Sequence, residues 1–127
     1  LFDANGECDT AADGEVTQMG YEYYPECVEH VVRRVHESFH GELLITENGI
    51  ATDDDARRCD YIRTAVDGAL RCKADGIPVA VYLYWSMIDN FEWQSGYGMK
   101  FGLMSLNRET QEHTPKESLY ILGKYNR

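Results

Sequence analysis

The segment that most restricts the fold of this chain is the run VAVYLYW at residues 79–85. It is nearly continuous apolar sequence, rich in β-branched and aromatic residues, and it offers no polar face to water. Strands that are apolar on both faces belong to parallel sheets covered on both sides. A shorter apolar run at residues 43–46 has the same character. These two runs are therefore predicted to be buried, parallel strands.

Amphipathic helical patterns precede both predicted strands. The first apolar face follows Pro25 and comprises Val28, Val31, Val32, Val35 and Phe39. The second follows the acidic residues 53–55 and comprises Ile62, Ala65, Val66, Ala69 and Leu70. Both spacings fit one side of a helix, and acidic residues suit a helix N-terminus because they complement its dipole. The alternation of helix and strand predicts an α/β fold with a parallel sheet.

The remaining segments are predicted to be mostly loop. Residues 1–20 are rich in Gly, Asp and Thr without periodicity, and residues 86–114 form a long aromatic stretch that contains glycines. Pro115 is predicted to open a last helix that ends near Tyr125. Two strands alone would leave bare edges and an uncovered face. The chain is therefore expected to pair with other chains or to be a piece of a larger fold.

Composition narrows the classes of partner. The 127 residues carry a formal net charge of −10, which argues against a nucleic-acid or anionic-membrane partner, because binding phosphates needs a basic surface. None of the four cysteines forms a CxxC pair, so a zinc site is not expected. Cys59 and Cys72 fall on one predicted helix about 20 Å apart, beyond disulfide reach. All four cysteines are predicted to be reduced, which favours a cytoplasmic location.

Carboxylates and tryptophans follow the two predicted strands. Glu47 comes after the first strand, and Asp89 and Glu92 come after the second, close to Trp85 and Trp93. The carboxyl ends of parallel strands meet at one edge, where α/β folds place their active sites. Indole faces stack on sugar rings, and carboxylates accept hydrogen bonds from sugar hydroxyls. This predicts a sugar site; the alternative is that both tryptophans are core residues and Glu92 is a surface charge.

Two longer motifs carry a resemblance to a known family. LLITENGI at residues 43–50, together with YWSMIDNFEWQSGYGMKFGL at residues 84–103, resembles the C-terminal part of glycoside hydrolase family 1, the β-glucosidase family. The upstream MGYEYYPE resembles the segment before that family's penultimate strand. The resemblance implies a TIM (β/α)8 barrel. Residues 1–127 would be one partial barrel domain, with strands seven and eight at residues 43–46 and 79–85.

The resemblance also implies roles for individual residues. Glu47 matches the catalytic nucleophile of a retaining mechanism, and Trp85 matches the platform beneath the sugar. Glu92 and Trp93 match residues that bind hydroxyls of the non-reducing-end sugar, and Phe101 matches an aromatic near the same pocket. The implied substrate is a β-glucoside or oligosaccharide. No metal or organic cofactor is expected, because two carboxylates suffice for this reaction.

The family's acid/base glutamate lies in an Asn-Glu-Pro motif, and this sequence has no such motif. The chain is therefore expected to be inactive without the rest of the barrel, as a fragment or as one piece of a split barrel. Three alternatives stay open: a myrosinase-like or other family 1 specificity, a non-catalytic sugar-binding or receptor module on the same barrel, and a small protein whose copies assemble a barrel. An enzyme for phosphorylated sugars is disfavoured by the Glu92-Trp93 pair.

Several nearby polar residues are predicted to have structural roles only. Asn48 and Gly49 are expected to shape a turn, since Asn-Gly is a strong turn signal. Asp89 and Asn90 are expected to hold the loop backbone through side-chain hydrogen bonds. The histidines, which have no evident partner in the sequence, receive no catalytic role; they are His30, His36, His40 and His113.

Overall fold

The computed structural model describes residues 15–126, so the first 14 residues of the loop predicted at residues 1–20, including Cys8, lie outside the described residues. The helices are α1 (Cys27–His36), α2 (Asp55–Ala74) and α3 (Glu117–Gly123), and the strands are β1 (Leu43–Asn48), β2 (Val79–Tyr84), β3 (Met104–Leu106) and β4 (His113–Pro115). β1 and β2 pair in parallel. The predicted α/β order of helix, strand, helix and strand is confirmed.

The first helix buries only part of its predicted apolar face. Val28 and Val32 are buried, whereas Val31 is 59% exposed and Phe39 lies beyond the end of the helix. The predicted helical face of five residues is therefore wrong at Phe39, and only two of its residues are buried. The reason is that α2 covers one side of α1, while Val31 and Val35 line an open groove of about 410 Å³ between α1 and β1.

The second helix matches its predicted signals closely. The Asp54 side chain caps its start, accepting hydrogen bonds from the backbone N–H groups of Ala56 at 2.9 Å and Arg57 at 3.3 Å. Gly76 adopts a φ of 89° just beyond the last turn, a conformation that glycine tolerates without strain. Of the predicted apolar face only Leu70 is exposed, at 50%. The capped helix packs against β2 and against both other helices.

Helices cover one face of the two-stranded sheet. One core cluster joins α1, α2 and the start of β2, and a second joins α2 to α3 around Ile62 and Ile121. Leu44 and Leu83 point away from these clusters and are both 52% exposed. All of the described helices pack on the same side of the sheet, so within the described residues the predicted cover is present on one face only.

The predicted long loop contains a hairpin. β3 and β4 pair antiparallel, with Met104 opposite Pro115 and Leu106 opposite His113. Pro115 ends β4 instead of opening a helix, and α3 begins two residues later at Glu117. Three-residue strands leave no readable alternation, which is why the sequence pattern missed them. No helix within residues 15–126 is both long and apolar enough to span a bilayer.

Candidate functional site

A cavity of about 570 Å³ opens at the carboxyl ends of β1 and β2. Four of the five residues singled out from the sequence line it, namely Glu47, Trp85, Glu92 and Phe101. Glu47 and Trp85 are exposed and Glu92 and Phe101 are half-buried, so these groups face open space. The parallel strands thus bring together a carboxylate from each of two chain segments and two aromatic rings.

Trp93 does not line this cavity. Its indole is 80% exposed, and its backbone adopts a φ of 33° at the start of a 3-10 turn, Trp93–Ser95. The structure therefore brings Glu92 to the cavity but leaves its neighbour outside. A sugar-binding role for Trp93 stays a prediction.

A β-bulge determines the direction of Glu47. β1 runs on to Asn48, so Glu47 lies within the strand and not after it as predicted. Ile45 pairs with Tyr82 and Asn48 pairs with Tyr84. Between these two pairs β1 has two residues and β2 has one, so β1 contains one extra residue. The extra residue breaks the alternation of side chains, and the consecutive residues Thr46 and Glu47 are both exposed. Glu47 consequently projects toward the cavity and away from the helices.

Asn48 was predicted to shape a turn, but its side chain instead bridges two tyrosines. Its amide Nδ2 donates to the Tyr61 hydroxyl at 2.9 Å, and its Oδ1 accepts from the Tyr82 hydroxyl at 2.8 Å. Burial raises the pKa of both tyrosine hydroxyls. The backbone N–H of Trp85 donates to the Asn48 carbonyl at 2.8 Å. Asn48 thereby joins α2, β2 and the loop that begins at Trp85, just after β2.

Hydrogen bonds join the end of β2 to the segment around Phe101, which forms the floor of the cavity. The Phe101 carbonyl accepts hydrogen bonds from the Ser86 backbone N–H and the Tyr84 hydroxyl, each at 3.3 Å. Burial raises the pKa of Tyr84 to about 12. The peptide bond between Trp85 and Ser86 is cis. These contacts hold Trp85 and Phe101 on adjacent segments that lie side by side.

The buried side chain of Arg58 holds the backbone of the floor segment next to Phe101. The Arg58 side chain is 1% exposed, and its guanidinium donates to the Lys100 carbonyl at 2.6 Å and to the Thr52 carbonyl. It also pairs with Asp55 at 2.5 Å. Asp55 accepts from the Ser118 hydroxyl at 2.7 Å, and hydrogen bonds from Ser118 and Arg58 outweigh burial and lower the pKa of Asp55. Helices α2 and α3 are thus anchored to the cavity floor.

The loop that carries Glu92 is held at its base by Asp89. The Asp89 carboxylate accepts from the Gly102 backbone N–H at 2.8 Å and pairs with Lys116 at 3.1 Å, as predicted for a residue that holds the loop backbone. Asn90 instead donates to the Ser86 hydroxyl at 3.2 Å. Within the loop, the Glu92 N–H donates to the Gly96 carbonyl at 2.7 Å. Glu92 therefore stands on a hydrogen-bonded turn.

Sequence reasoning missed the opposite wall of the cavity. Met19, Tyr21 and Tyr24 line it from the segment before α1, and Tyr21 is 65% exposed. Gln18 holds this segment, because its N–H donates to the Ala51 carbonyl and its Oε1 accepts from the Lys100 N–H, both at 3.0 Å. The aromatic cluster YEYY was the available signal in the sequence.

Within residues 15–126, no group of three or more His, Cys, Asp or Glu side chains is placed to hold a metal ion.

The histidine adjoining this wall also differs from its prediction. His30, for which no partner was evident in the sequence, places its Nδ1 in hydrogen-bond contact with the Tyr24 hydroxyl. His36 and His40 stack edge to face, with ring centroids 4.9 Å apart. None of these three histidine rings lines the cavity.

The sequence model of glycosyl hydrolase family 1 matches residues 3–126. The chain belongs to glycosyl hydrolase family 1. The family 1 chain is 38% identical over 114 residues to the 1,4-beta-D-glucan glucohydrolase of Thermotoga neapolitana, covering 82% of this chain and 26% of that protein. It thus spans about a quarter of the length of that curated relative.

Solved glycosidase structures agree with the fold. The family 1 chain superposes on beta-glycosidase BGL167 with a TM-score of 0.89 and 47% identity, covering 97% of this chain and 30% of that one. A beta-glucosidase from Thermotoga maritima in complex with castanospermine matches with a TM-score of 0.81 and 34% identity, over 90% of this chain and 29% of that one. The expected fold, the C-terminal portion of a TIM barrel with its last two strand-helix units, is confirmed.

Proposed function

We propose that this chain supplies the nucleophile and part of the sugar-binding surface of a retaining β-glycosidase of the β-glucosidase type. The enzyme hydrolyses terminal non-reducing β-D-glucosyl residues and acts only with the rest of the barrel. The observation that carries the proposal is the single cavity that Glu47, Trp85, Glu92 and Phe101 line together at the carboxyl ends of parallel strands.

Each residue has a defined part in the proposed reaction. The Glu47 carboxylate attacks the anomeric carbon, the glycosidic C–O bond breaks, and the leaving oxygen takes a proton from an acid elsewhere in the barrel. Water then hydrolyses the covalent glycosyl-enzyme, with that second residue now acting as base. Trp85 stacks on the sugar ring, and Glu92 accepts hydrogen bonds from its hydroxyls.

The second carboxyl group must come from outside this chain. A retaining mechanism places it about 5–5.5 Å from the nucleophile. The exposed apolar face of the sheet, which includes Leu44 and Leu83, supports the presence of further strands, because a two-stranded sheet needs cover. A β-glucoside or oligosaccharide is the proposed substrate. The relative from Thermotoga neapolitana is named a glucan glucohydrolase, which supports glucose as the glycone. The cytoplasmic location stays a prediction.

The test uses the complete enzyme that carries this sequence and an activated fluoro-glucoside, which forms the glycosyl-enzyme but releases it slowly. Peptide mass mapping then locates the label. We expect label on the peptide that contains Glu47 and none in the Glu47→Gln variant. A folded protein that binds sugar without becoming labelled would contradict the proposal and favour a non-catalytic sugar-binding module.

The need for the rest of the barrel is tested separately by intact-mass measurement on the source protein. We expect a mass well above the 14.5 kDa of this chain, or a second chain that co-purifies with it. An active protein of 14.5 kDa without a second chain would contradict this part of the proposal.

A further inference from the structure

We propose that Asn48 is a positioning residue for Glu47. Its side chain, fixed between the hydroxyls of Tyr61 and Tyr82, holds the bulge that turns Glu47 toward the cavity. The inference rests on the proposed role of Glu47 as nucleophile, and it concerns how the chain aims that carboxylate.

The first step of the argument is the side-chain alternation along β1. Leu43 and Ile45 pack on the helix side of the sheet against the first core cluster. In a regular strand every second residue shares a face, so Glu47 would follow them toward the helices. The extra residue between Ile45 and Asn48 reverses this order. The Asn48 side chain therefore lies on the helix side of the sheet, and the Glu47 side chain lies on the cavity side.

The second step is the chemistry of the place that Asn48 occupies. The Tyr61 hydroxyl comes from α2 and the Tyr82 hydroxyl from β2, and they lie 2.9 Å and 2.8 Å from the two ends of the Asn48 amide. Tyr61 is 5% exposed, and buried polar groups depend on their hydrogen-bond partners. A planar amide that satisfies one hydroxyl at each end has its orientation defined by both. This bridge therefore stabilises the bulged register over the regular one.

The third step is the fixed backbone around the amide. The Asn48 carbonyl accepts from the Trp85 N–H at 2.8 Å, and the Tyr61 hydroxyl also contacts the Cys27 sulfur at 3.8 Å. Asn48 is thus held at its side chain and at its backbone, one residue from Glu47. Removing the side chain takes the acceptor from the Tyr82 hydroxyl and leaves the Tyr61 hydroxyl with the Cys27 sulfur alone, which frees the bulge to shift. A shift of about 1 Å at a reacting group costs on the order of a hundredfold in rate.

The experiment measures the rate of labelling by the activated fluoro-glucoside in the complete enzyme. In Asn48→Ala we expect this rate to fall at least about tenfold, while the Kd for glucose changes less than about threefold. Tyr125→Phe is the matched control, because it deletes a hydroxyl that donates to Asp67 at 2.9 Å far from the cavity. It is expected to label at the wild-type rate.

A shared interaction also predicts non-additivity. Combining Tyr82→Phe with Asn48→Ala should slow labelling little more than Asn48→Ala alone, because both changes remove the same hydrogen bond. If Asn48→Ala does not fold, Tyr82→Phe, which deletes one oxygen atom, takes its place in the same comparison of labelling rate with glucose affinity.

The outcomes separate the two proposals. Wild-type enzyme labelled at Glu47, with variants that label at the wild-type rate and lose only thermal stability, would overturn the positioning role and leave the proposed function intact. Wild-type enzyme that binds glucose without any label would overturn the proposed function and the positioning role together.

Discussion

The backbone of Gly49 passes directly against the carbonyl oxygen of Trp85. A Cβ atom placed on Gly49 would lie 1.9 Å from that oxygen and 3.0 Å from the carbonyl carbon. The contact joins the end of β1, one residue after Asn48, to the end of β2, where the indole of Trp85 enters the cavity. Glycine stands here because two backbone segments approach closely, and not because a turn requires it.

Gly49→Ala should therefore destabilise the protein strongly. The obstructing atoms are backbone, so no side-chain rotation relieves the overlap, and we expect a loss of about 3 kcal/mol or more in the free energy of unfolding. The matched control is Gly123→Ala at the end of α3, where nothing lies within 4 Å of the new Cβ; it should change stability by no more than about 1 kcal/mol. Equal urea midpoints for the two variants would refute the close approach.

Glu47→Gln should abolish turnover in the complete enzyme while leaving folding nearly intact. The amide keeps the shape of the carboxylate but cannot attack the anomeric carbon. Glu42→Gln, at an exposed residue just before β1, is the control and should keep full activity. Steady-state kinetics and thermal unfolding of both variants check this, and unchanged turnover in Glu47→Gln would remove that residue from the mechanism.

Glu92→Ala should weaken substrate binding and transition-state binding together. Hydrogen bonds to a charged group contribute about 1.5–3 kcal/mol, so kcat/KM should fall roughly 10-fold to 100-fold. Glu109→Ala removes an equal charge from an exposed residue outside the cavity and should leave kcat/KM unchanged. If Glu92→Ala lowered only the melting temperature, Glu92 would have a structural role.

Asp89→Ala should destabilise the loop that carries Glu92. The Asp89 and Lys116 side chains are only 10% and 18% exposed, and the change leaves the Lys116 ammonium and the Gly102 N–H without this carboxylate. Breaking a fully buried pair costs about 3–5 kcal/mol, and we expect a smaller loss for this half-buried pair, above that of an exposed pair. Asp60→Ala breaks an exposed pair with Arg63 and should cost less than about 1 kcal/mol. Urea unfolding compares them, and similar losses would contradict the assigned role of Asp89.

Stability should fall at alkaline pH because three tyrosines have raised pKa values. Burial raises the pKa of Tyr84 to about 12 and raises those of Tyr61 and Tyr82, above the ordinary value of about 10. Their contribution is complete below about pH 10 and is lost as the pH rises through the raised pKa, because the unfolded chain releases these protons first. Tyr84→Phe should flatten the fall by up to about 1.4 kcal/mol per pH unit. Urea unfolding between about pH 8 and pH 11 measures both slopes, and identical slopes would contradict the burial effect.

Much of the fold could be predicted because its signals are local. The cap at Asp54, the glycine at Gly76 and the apolar spacing of α2 all act within one or two turns of helix. The hairpin of β3 and β4 was missed because three-residue strands are too short to show alternation. Pro115 was misassigned because the last residue of a short strand tolerates proline as readily as the first turn of a helix does.

The sequence by itself determined the family, the parallel order of β1 and β2, and the arrival of Glu47 and Glu92 at one edge of the sheet. Only the tertiary structure decided the bulge before Asn48, the bridge from Asn48 to Tyr61 and Tyr82, and the place of Tyr21 in the cavity wall. The physical reason is that strand register and side-chain partners depend on residues 13 and 34 positions apart along the chain. Local periodicity carries no information about contacts at those separations.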